Sequence, residues 1–355
     1  MDHNIKGQAI TVLGPVPAGE LGFTLPHEHL IVDQTVYFRE PEAGTERLYA
    51  HQPLSLENMF WVKYHIKDHL DVQRLLDEET AIKELRRYKS AGGSTLVEVT
   101  SQGLGRDPLA LTRIARSTGV HVIMGSGYYV GPSHPPRVAR MSTEEIAREI
   151  VSDIRIGVGS SGIRAGIIGE IGCSWPLTEA EKKVIRAAAL AQRETGAAIN
   201  IHPSRNEQGP LEVIDILGRS GARLDKVVIS HMDRCGYLLE NRLKMLDAGC
   251  FVEYDLFGKD GYYPAEPALA EGHLPDMLND VGRIKEVADL IDRGYLGQIL
   301  VSHDTGLKLD LTCWGGPGYA HLLENAIPRM RIYGYTEAQI QTLTVENPGK
   351  MLAIP

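Results

Sequence analysis

Residues 23–30 read FTLPHEHL, a short apolar run that closes on two histidines. Pro26 argues for a strand end here rather than a helix. On a strand, His27 and His29 stand two residues apart and face one side, so both imidazoles can reach one ion. An isolated H-x-H is as often a hydrogen-bonded or surface pair as a ligand pair. Four further runs shift that balance. AGIIGEIG (165–172), AAINIHP (197–203), KVVISHMD (226–233) and QILVSHD (298–304) place Glu170, His202, His231 and Asp304 at or near their C-terminal ends. In a (β/α)8 barrel every strand presents its C-terminal end to one face, so side chains far apart in sequence converge there. Four imidazoles and two carboxylates suit two divalent ions, zinc in first place and manganese or cobalt as alternatives.

The rest of the chain alternates strand and helix about eight times. Strand candidates are Phe23–Val32, Ser94–Thr100, His121–Gly127, Ala165–Gly172, Ala197–Pro203, Lys226–Asp233, Cys250–Asp255 and Gln298–Asp304. Their nearly continuous apolar character is that of parallel strands buried on both faces. Between them Asp77–Ala91, Asp107–Thr118, Thr143–Ile156, Thr178–Glu194, Pro210–Arg219, Gly236–Ala248 and Arg283–Arg293 carry apolar residues at helical spacing. Ser142 to Glu145 resembles a capping box, and Thr178 puts a hydroxyl before an acidic first turn. Gly249 and Gly294 fall where helices should stop. No G-x-G-x-x-G follows the first strand, so a closed barrel is favoured over a dinucleotide-binding sheet. The expected fold class is α/β, a (β/α)8 TIM barrel with a binuclear metal site at the C-terminal face of the strands. Residues 1–355 are expected to form one domain. The long segments Gln34–Lys67 and Phe257–Pro275 lie on the ligand side. They either shape substrate access, cover the barrel mouth or form a subunit contact.

A net charge of −9 argues against a nucleic-acid partner, which backbone neutralisation would have to hold. The four cysteines, Cys173, Cys235, Cys250 and Cys313, form no CxxC pair and read as free thiols of a reducing, cytoplasmic compartment. The N-terminal residues lack a signal-peptide pattern, and no stretch approaches about 18 apolar residues, so no membrane span is expected. The expected partner is a small-molecule substrate, with an anionic one allowed for, and a homodimer is compatible with the sequence.

Individual residues take expected roles. Glu170 sits between glycines in an apolar strand, where a buried carboxylate is rare without a partner; its two oxygens can serve two cations. The bland alternative is an arginine partner. His202 and His231, one barrel strand apart, are expected to share an ion. Asp304 can bind a metal and take the proton of an attacking water, or it can serve as a helix N-cap. His303 should point to the other side of its strand and be structural. Tyr128, Arg205, Arg234 and Tyr254 are the expected substrate-binding residues. Tyr128 and Tyr129 follow the third strand, where a tyrosine either donates to a substrate oxygen or packs at the rim. Arg205 and Arg234 each follow a ligand histidine by three residues and either hold an anionic tail or form rim salt bridges. Tyr254 and Asp255 end the seventh strand, and Trp314 could form an apolar wall. Cys173 has no base placed for it and is not read as a nucleophile.

With these motifs in order at the right strand ends, the chain resembles the phosphotriesterase family of the amidohydrolase superfamily. GIIGEIGCSWPLTEAEKKV (166–184) and EYDLFG (253–258) are most similar to its phosphotriesterase-related, or resiniferatoxin-binding related, branch. The resemblance runs from about Thr11 to Leu352. It implies that His27, His29 and Asp304 hold one metal, that His202 and His231 hold the other, and that Glu170 bridges them. The best-known members bridge with a carboxylated lysine; the glutamate here shifts the expected chemistry away from phosphotriesters. The expected activity is a metal-dependent hydrolase that uses a metal-bridging hydroxide to cleave a small carboxylic ester, lactone or N-acyl amide, with Asp304 and Glu170 as catalytic residues. Three alternatives stay open. One is a phosphotriester hydrolase. A second is a non-catalytic small-ligand-binding protein on the same fold, which a substrate screen with metal analysis would separate. The third is a mononuclear deaminase, which two bound metals would exclude.

Overall fold

The computed structural model describes residues 5–234, 237–260 and 277–355. Its centre is one eight-stranded sheet in which neighbours follow chain order. The strands are β1 (Thr24–Glu28), β2 (Thr95–Glu98), β3 (His121–Ser126), β4 (Ile167–Gly172), β5 (Ile199–His202), β6 (Val227–Ile229), β7 (Phe251–Tyr254) and β8 (Ile299–Val301). Every adjacent pair is parallel. The last strand returns to the first, where the Asp304 N–H donates to the His27 carbonyl at 3.2 Å and the His29 N–H donates to the Thr305 carbonyl at 3.1 Å. The result is a nearly closed (β/α)8 TIM barrel, as the alternation of patterns predicts.

Strand parity divides the core into two layers. Val97, Ile123, Ile167, Ala198, Val228, Phe251 and Leu300 point inward and fill the barrel. Leu96, Val122, Ile168, Ile199, Val227, Val252 and Ile299 point outward and bury against the helices. Ala9 of the N-terminal hairpin, with Met351 and Leu352 of the helix Asn347–Leu352, joins the inner layer.

The helices start where local chemistry satisfies their free N–H groups. Asp77 and Asp107 cap Glu78–Ser90 and Pro108–Thr118. Ser142 and Thr178 form full capping boxes, with the Glu145 and Glu181 carboxylates accepting the N-cap backbone N–H in return. Gly249 and Gly294 adopt φ of +96° and +95°, the left-handed stops read from the sequence. The segment Gln34–Lys67, which has no helical period in its sequence, contains the short helices Gly44–Ala50 and Met59–Tyr64. Two turns give too few residues for a clear apolar period. Of Phe257–Pro275, residues 261–275 lie outside the described residues, as does Cys235. Among the described residues no helix is long and apolar enough to cross a membrane.

Loops after β7 and β8 are tied together by Asp280, at the start of the helix Asp280–Asp292. Its carboxylate accepts the Gly258 N–H at 2.8 Å and pairs with Arg283 Nη1 at 2.9 Å and His321 Nε2 at 2.6 Å. Burial opposes that charge, but His321, Gly258 and Arg283 outweigh it and hold the carboxyl at about 2 rather than 3.8. A carboxyl lowered in the folded state adds stability above its unfolded value and loses it as pH falls through its folded value. The difference is on the order of 2 kcal/mol. Asp280→Asn should therefore lower stability by about that much at pH 7. The gap from wild type should close as pH falls from about 4 to about 2, which urea titrations at several pH values can check.

Candidate metal centre and active-site pocket

The ligand-bearing residues sit where the regular sheet is interrupted. The register of β1 against β2 slips between Leu25 and Glu28, and that of β4 against β5 slips between Ile168 and Ile171. Such bulges re-aim side chains at a barrel rim, here His27 and Glu170. Gly169 makes the second bulge feasible. Its φ is +127°, and a Cβ there would collide with the Asn200 carbonyl oxygen. His231 and Asp304 have φ of 60° and 50°, an uncommon backbone for residues with a side chain, and one that clusters at functional sites.

These local features bring all six predicted residues together. Glu170 is central. Its Oε1 lies 3.4 Å from His29 Nε2, and its Oε2 lies 2.9 Å from His202 Nδ1, 3.5 Å from His27 Nε2 and 3.6 Å from His231 Nε2. Asp304 Oδ1 lies 3.4 Å from His29 Nε2 and 3.8 Å from His27 Nε2. His202 Nδ1 and His231 Nε2 are 2.8 Å apart. Thus one carboxylate oxygen faces His29 while the other faces the His202–His231 pair.

The opposite nitrogens of three histidines are anchored by oxygens. His27 Nδ1 meets Glu253 Oε2 at 3.1 Å and Ser230 Oγ at 3.2 Å. His29 Nδ1 meets Thr100 Oγ1 at 2.8 Å, and that hydroxyl donates to Glu98. His231 Nδ1 meets Asp255 Oδ1 at 2.8 Å. An oxygen partner at Nδ1 fixes the ring and leaves the Nε2 lone pair aimed inward, the arrangement that orients metal-ligating histidines.

The donor set fits a pair of divalent ions. His27 Nε2 is buried and has no hydrogen-bond partner, an orphaned acceptor in the middle of the cluster. An ion held at about 2.0–2.1 Å spaces its tetrahedral ligand atoms about 3.3 Å apart, close to the separations here. The electrostatics agree. Burial opposes charge on Glu170 and on Asp304, yet the histidines, and Lys259 in the case of Asp304, hold both carboxyls well below the usual range. Burial likewise opposes charge on His29, but Asp304 and Glu170 push it up to about 9. His27 is raised by Glu170 and Glu253 against its burial. His202 is lowered by burial and by Arg234. Buried anions gathered around imidazoles call for compensating cations.

Above the cluster opens a cavity of about 430 Å³, a size suited to a small molecule. His29, Glu170, His202 and Asp304 line its floor, and Tyr129, Arg205, Arg234 and Lys259 stand on its walls. Gln34, Tyr37, Lys63, Ile66 and Lys67 cover it from the segment after β1, and Gly258, Lys259 and Asp260 border it after β7. Arg205 and Arg234 thus both line the cavity. Arg234 Nη1 contacts His202 Nε2 at 3.0 Å, and its Nη2 donates to the Pro203 carbonyl.

Two expected substrate residues are corrected. Tyr128 turns outward, donating to Glu149 Oε1 at 2.8 Å and accepting from Arg137. Its neighbour Tyr129 faces the site, with its hydroxyl 3.1 Å from both ring nitrogens of His202 and 2.8 Å from that of Tyr37. Tyr254 also turns away, accepting from Arg242 at 2.9 Å and donating to Glu286 at 3.2 Å. Parity is the reason: Glu253 and Asp255 take the inward positions of that strand end, which leaves Tyr254 outside. Trp314 packs with Leu54, Val62 and Val72 under the short helices. His303 is structural, as expected, held by Glu28 Oε1 at 2.8 Å and accepting the Leu322 N–H. The Cys173 thiol is buried, and burial pushes it well up, away from thiolate character. Glu253 and Lys259 were missed. Glu253 had a signal, a charged residue inside the apolar run FVEY. Lys259 had none, because its contacts lie 45 residues further along the chain.

Comparison with known proteins identifies the family of the chain. The profile of the Phosphotriesterase family matches residues 7–352. An N-acetyltaurine hydrolase of Bos taurus is 40% identical over 351 residues, covering 98% of this chain and 99% of that protein. The crystal structure of a resiniferatoxin-binding protein from Rhodobacter sphaeroides superposes with a TM-score of 0.92 at 34% identity, covering 99% of this chain and 97% of that one. A phosphotriesterase homology protein from Escherichia coli, solved with phosphate in its active site, gives a TM-score of 0.76 at 31% identity, over 94% of this chain and 99% of that one. The chain belongs to the phosphotriesterase family and is a hydrolase.

Proposed function

We propose that the chain is a metal-dependent amide hydrolase acting on a small N-acyl amine that carries an acid group, sulfonate or carboxylate. One observation carries this reading: two arginines stand on the wall of the cavity whose floor is formed by His29, Glu170, His202 and Asp304 of the six-residue cluster. The relatives support it. Several N-acetyltaurine hydrolases match nearly the full chain, and N-acetyltaurine is an acetamide with a sulfonate tail. His27, His29 and Asp304 would hold one ion, His202 and His231 the other, with one oxygen of Glu170 turned to each. Such ions, when bound, supply a hydroxide at neutral pH and a Lewis acid for the acyl oxygen.

The chain's own residues do the rest. Asp304 accepts the proton of the attacking water and returns it to the departing amine nitrogen. The Tyr129 hydroxyl, which faces His202, donates to the oxygen on which charge develops. Arg205 and Arg234 hold the acid tail by charge-assisted hydrogen bonds. The segment carrying Lys63 and Lys67 shields the site from water, which strengthens those contacts.

The test is a hydrolysis screen of the zinc- and manganese-loaded protein against N-acyl aminosulfonates, N-acyl amino acids, esters, lactones and a phosphotriester. The highest kcat/KM should fall on an acid-bearing amide. A phosphotriester or lactone that outperforms every amide would overturn the assignment. Arg205→Ala should raise KM for acid-bearing substrates by roughly 10-fold or more, the worth of a hydrogen bond to a charged group, and leave neutral substrates nearly unchanged. Equal effects on both would remove the tail-binding role.

A further inference from the structure

Lys259 is a charged side chain on the pocket wall for which substrate binding gives no account. It follows β7, is 19% exposed, and reaches across to the end of β8. Its Nζ donates to the Asp304 backbone carbonyl and lies 3.8 Å from Asp304 Oδ2 and 3.3 Å from Asp310 Oδ2. The lysine is itself firmly placed. Its N–H donates to the Leu256 carbonyl at 2.9 Å, and its own carbonyl accepts from Arg283 Nη2 at 2.8 Å. Arg283 is fully buried and fixed by Asp233 at 2.7 Å and Asp280 at 2.9 Å. Asp310 Oδ2 is in turn set by the Gly306 and Leu307 N–H groups at 3.0 and 2.9 Å.

Asp304 shows why such a clamp matters. Its backbone is left-handed, and its two carboxylate oxygens are divided: Oδ1 faces His29 and His27, and Oδ2 faces Lys259 at 3.8 Å and His231 Nδ1 at 4.0 Å. We propose that Lys259 is a positioning residue for Asp304, gripping its carbonyl and Oδ2 so that the carboxylate keeps the one orientation in which it can accept the proton of the attacking water. A substrate-binding role fits less well, because two carboxylates already face this single ammonium. The proposal rests on the proton-transfer role given to Asp304 above.

Two arms test it on the full-length, zinc-loaded protein. The first needs no substrate. In a crystal structure of Lys259→Met, the Asp304 carboxylate should be rotated or spread over several orientations, with both metal positions still filled. A carboxylate that superposes on the wild-type one, or loss of a metal, overturns the proposal. The second arm uses the best wild-type substrate. Lys259→Met should lower kcat about 10-fold or more with KM within about twofold, alike for acid-bearing and neutral substrates, and Lys259→Arg should recover most of it. An effect confined to KM for acid-bearing substrates, or an unchanged kcat, overturns it. Lys259→Gln serves both arms if the methionine variant does not fold. A wild type that hydrolyses no substrate in the panel defeats the functional reading alone, and the structural arm still decides Lys259.

Discussion

Glu170→Ala protein should bind at most one ion firmly and lose on the order of 10³-fold or more in kcat/KM. The reason is the division of its oxygens. Oε1 faces His29, while Oε2 faces His202, His231 and His27, so this one carboxylate lies within 3.6 Å of a ring nitrogen of each of the four histidines. Alanine leaves His202 and His231 with no carboxylate between them. It also removes the buried negative charge that would offset two like-charged cations. Glu170→Gln is the informative partner variant. It keeps one acceptor oxygen but no charge, and should retain the fold with weakened binding of the second ion. Metal content after dialysis against a weak chelator, read beside activity, checks both variants. Full activity with two ions in Glu170→Ala would remove the bridging role.

Asp304→Asn should give the opposite pattern, with metal retained and turnover lost. Asparagine still offers an oxygen towards His27 and His29 but cannot accept a proton at neutral pH. Loss of a positioned acid–base group typically lowers rates by about 10²–10⁴-fold. The fall should appear in kcat, with KM for the acid-bearing amide little changed, because Arg205 and Arg234 are untouched. Near wild-type turnover at full metal content would show that the proton leaves by another route.

The barrel and the cluster were legible because both rest on short-range rules. Strand parity makes His27 and His29 face one way. A barrel's common C-terminal face then gathers Glu170, His202, His231 and Asp304 without any knowledge of distances. Helix starts at Ser142 and Thr178 could be read because a side chain caps its own neighbours, and those near Asp77 and Asp107 from apolar spacing alone.

What could not be read depends on events beyond the regular strand. Tyr128 and Tyr129 are adjacent, and which one turns inward is decided after β3 has ended, where period-two alternation is no longer enforced. Tyr254 was misplaced although it lies on β7, because the inward positions there belong to Glu253 and Asp255. Those two carboxylates matter only through His27 and His231, contacts that form between different strands. Lys259 and Asp304 meet only when the loops after β7 and β8 close on each other. The short helices Gly44–Ala50 and Met59–Tyr64 draw their order from tertiary packing around Leu54 and Val62, not from local periodicity.

The central claim is that these six side chains form a two-ion site. Elemental analysis of the zinc-loaded, desalted protein tests it most directly. Two ions per chain are predicted for the wild type. A firm ratio of one ion per chain, in protein with all six side chains intact, would contradict it.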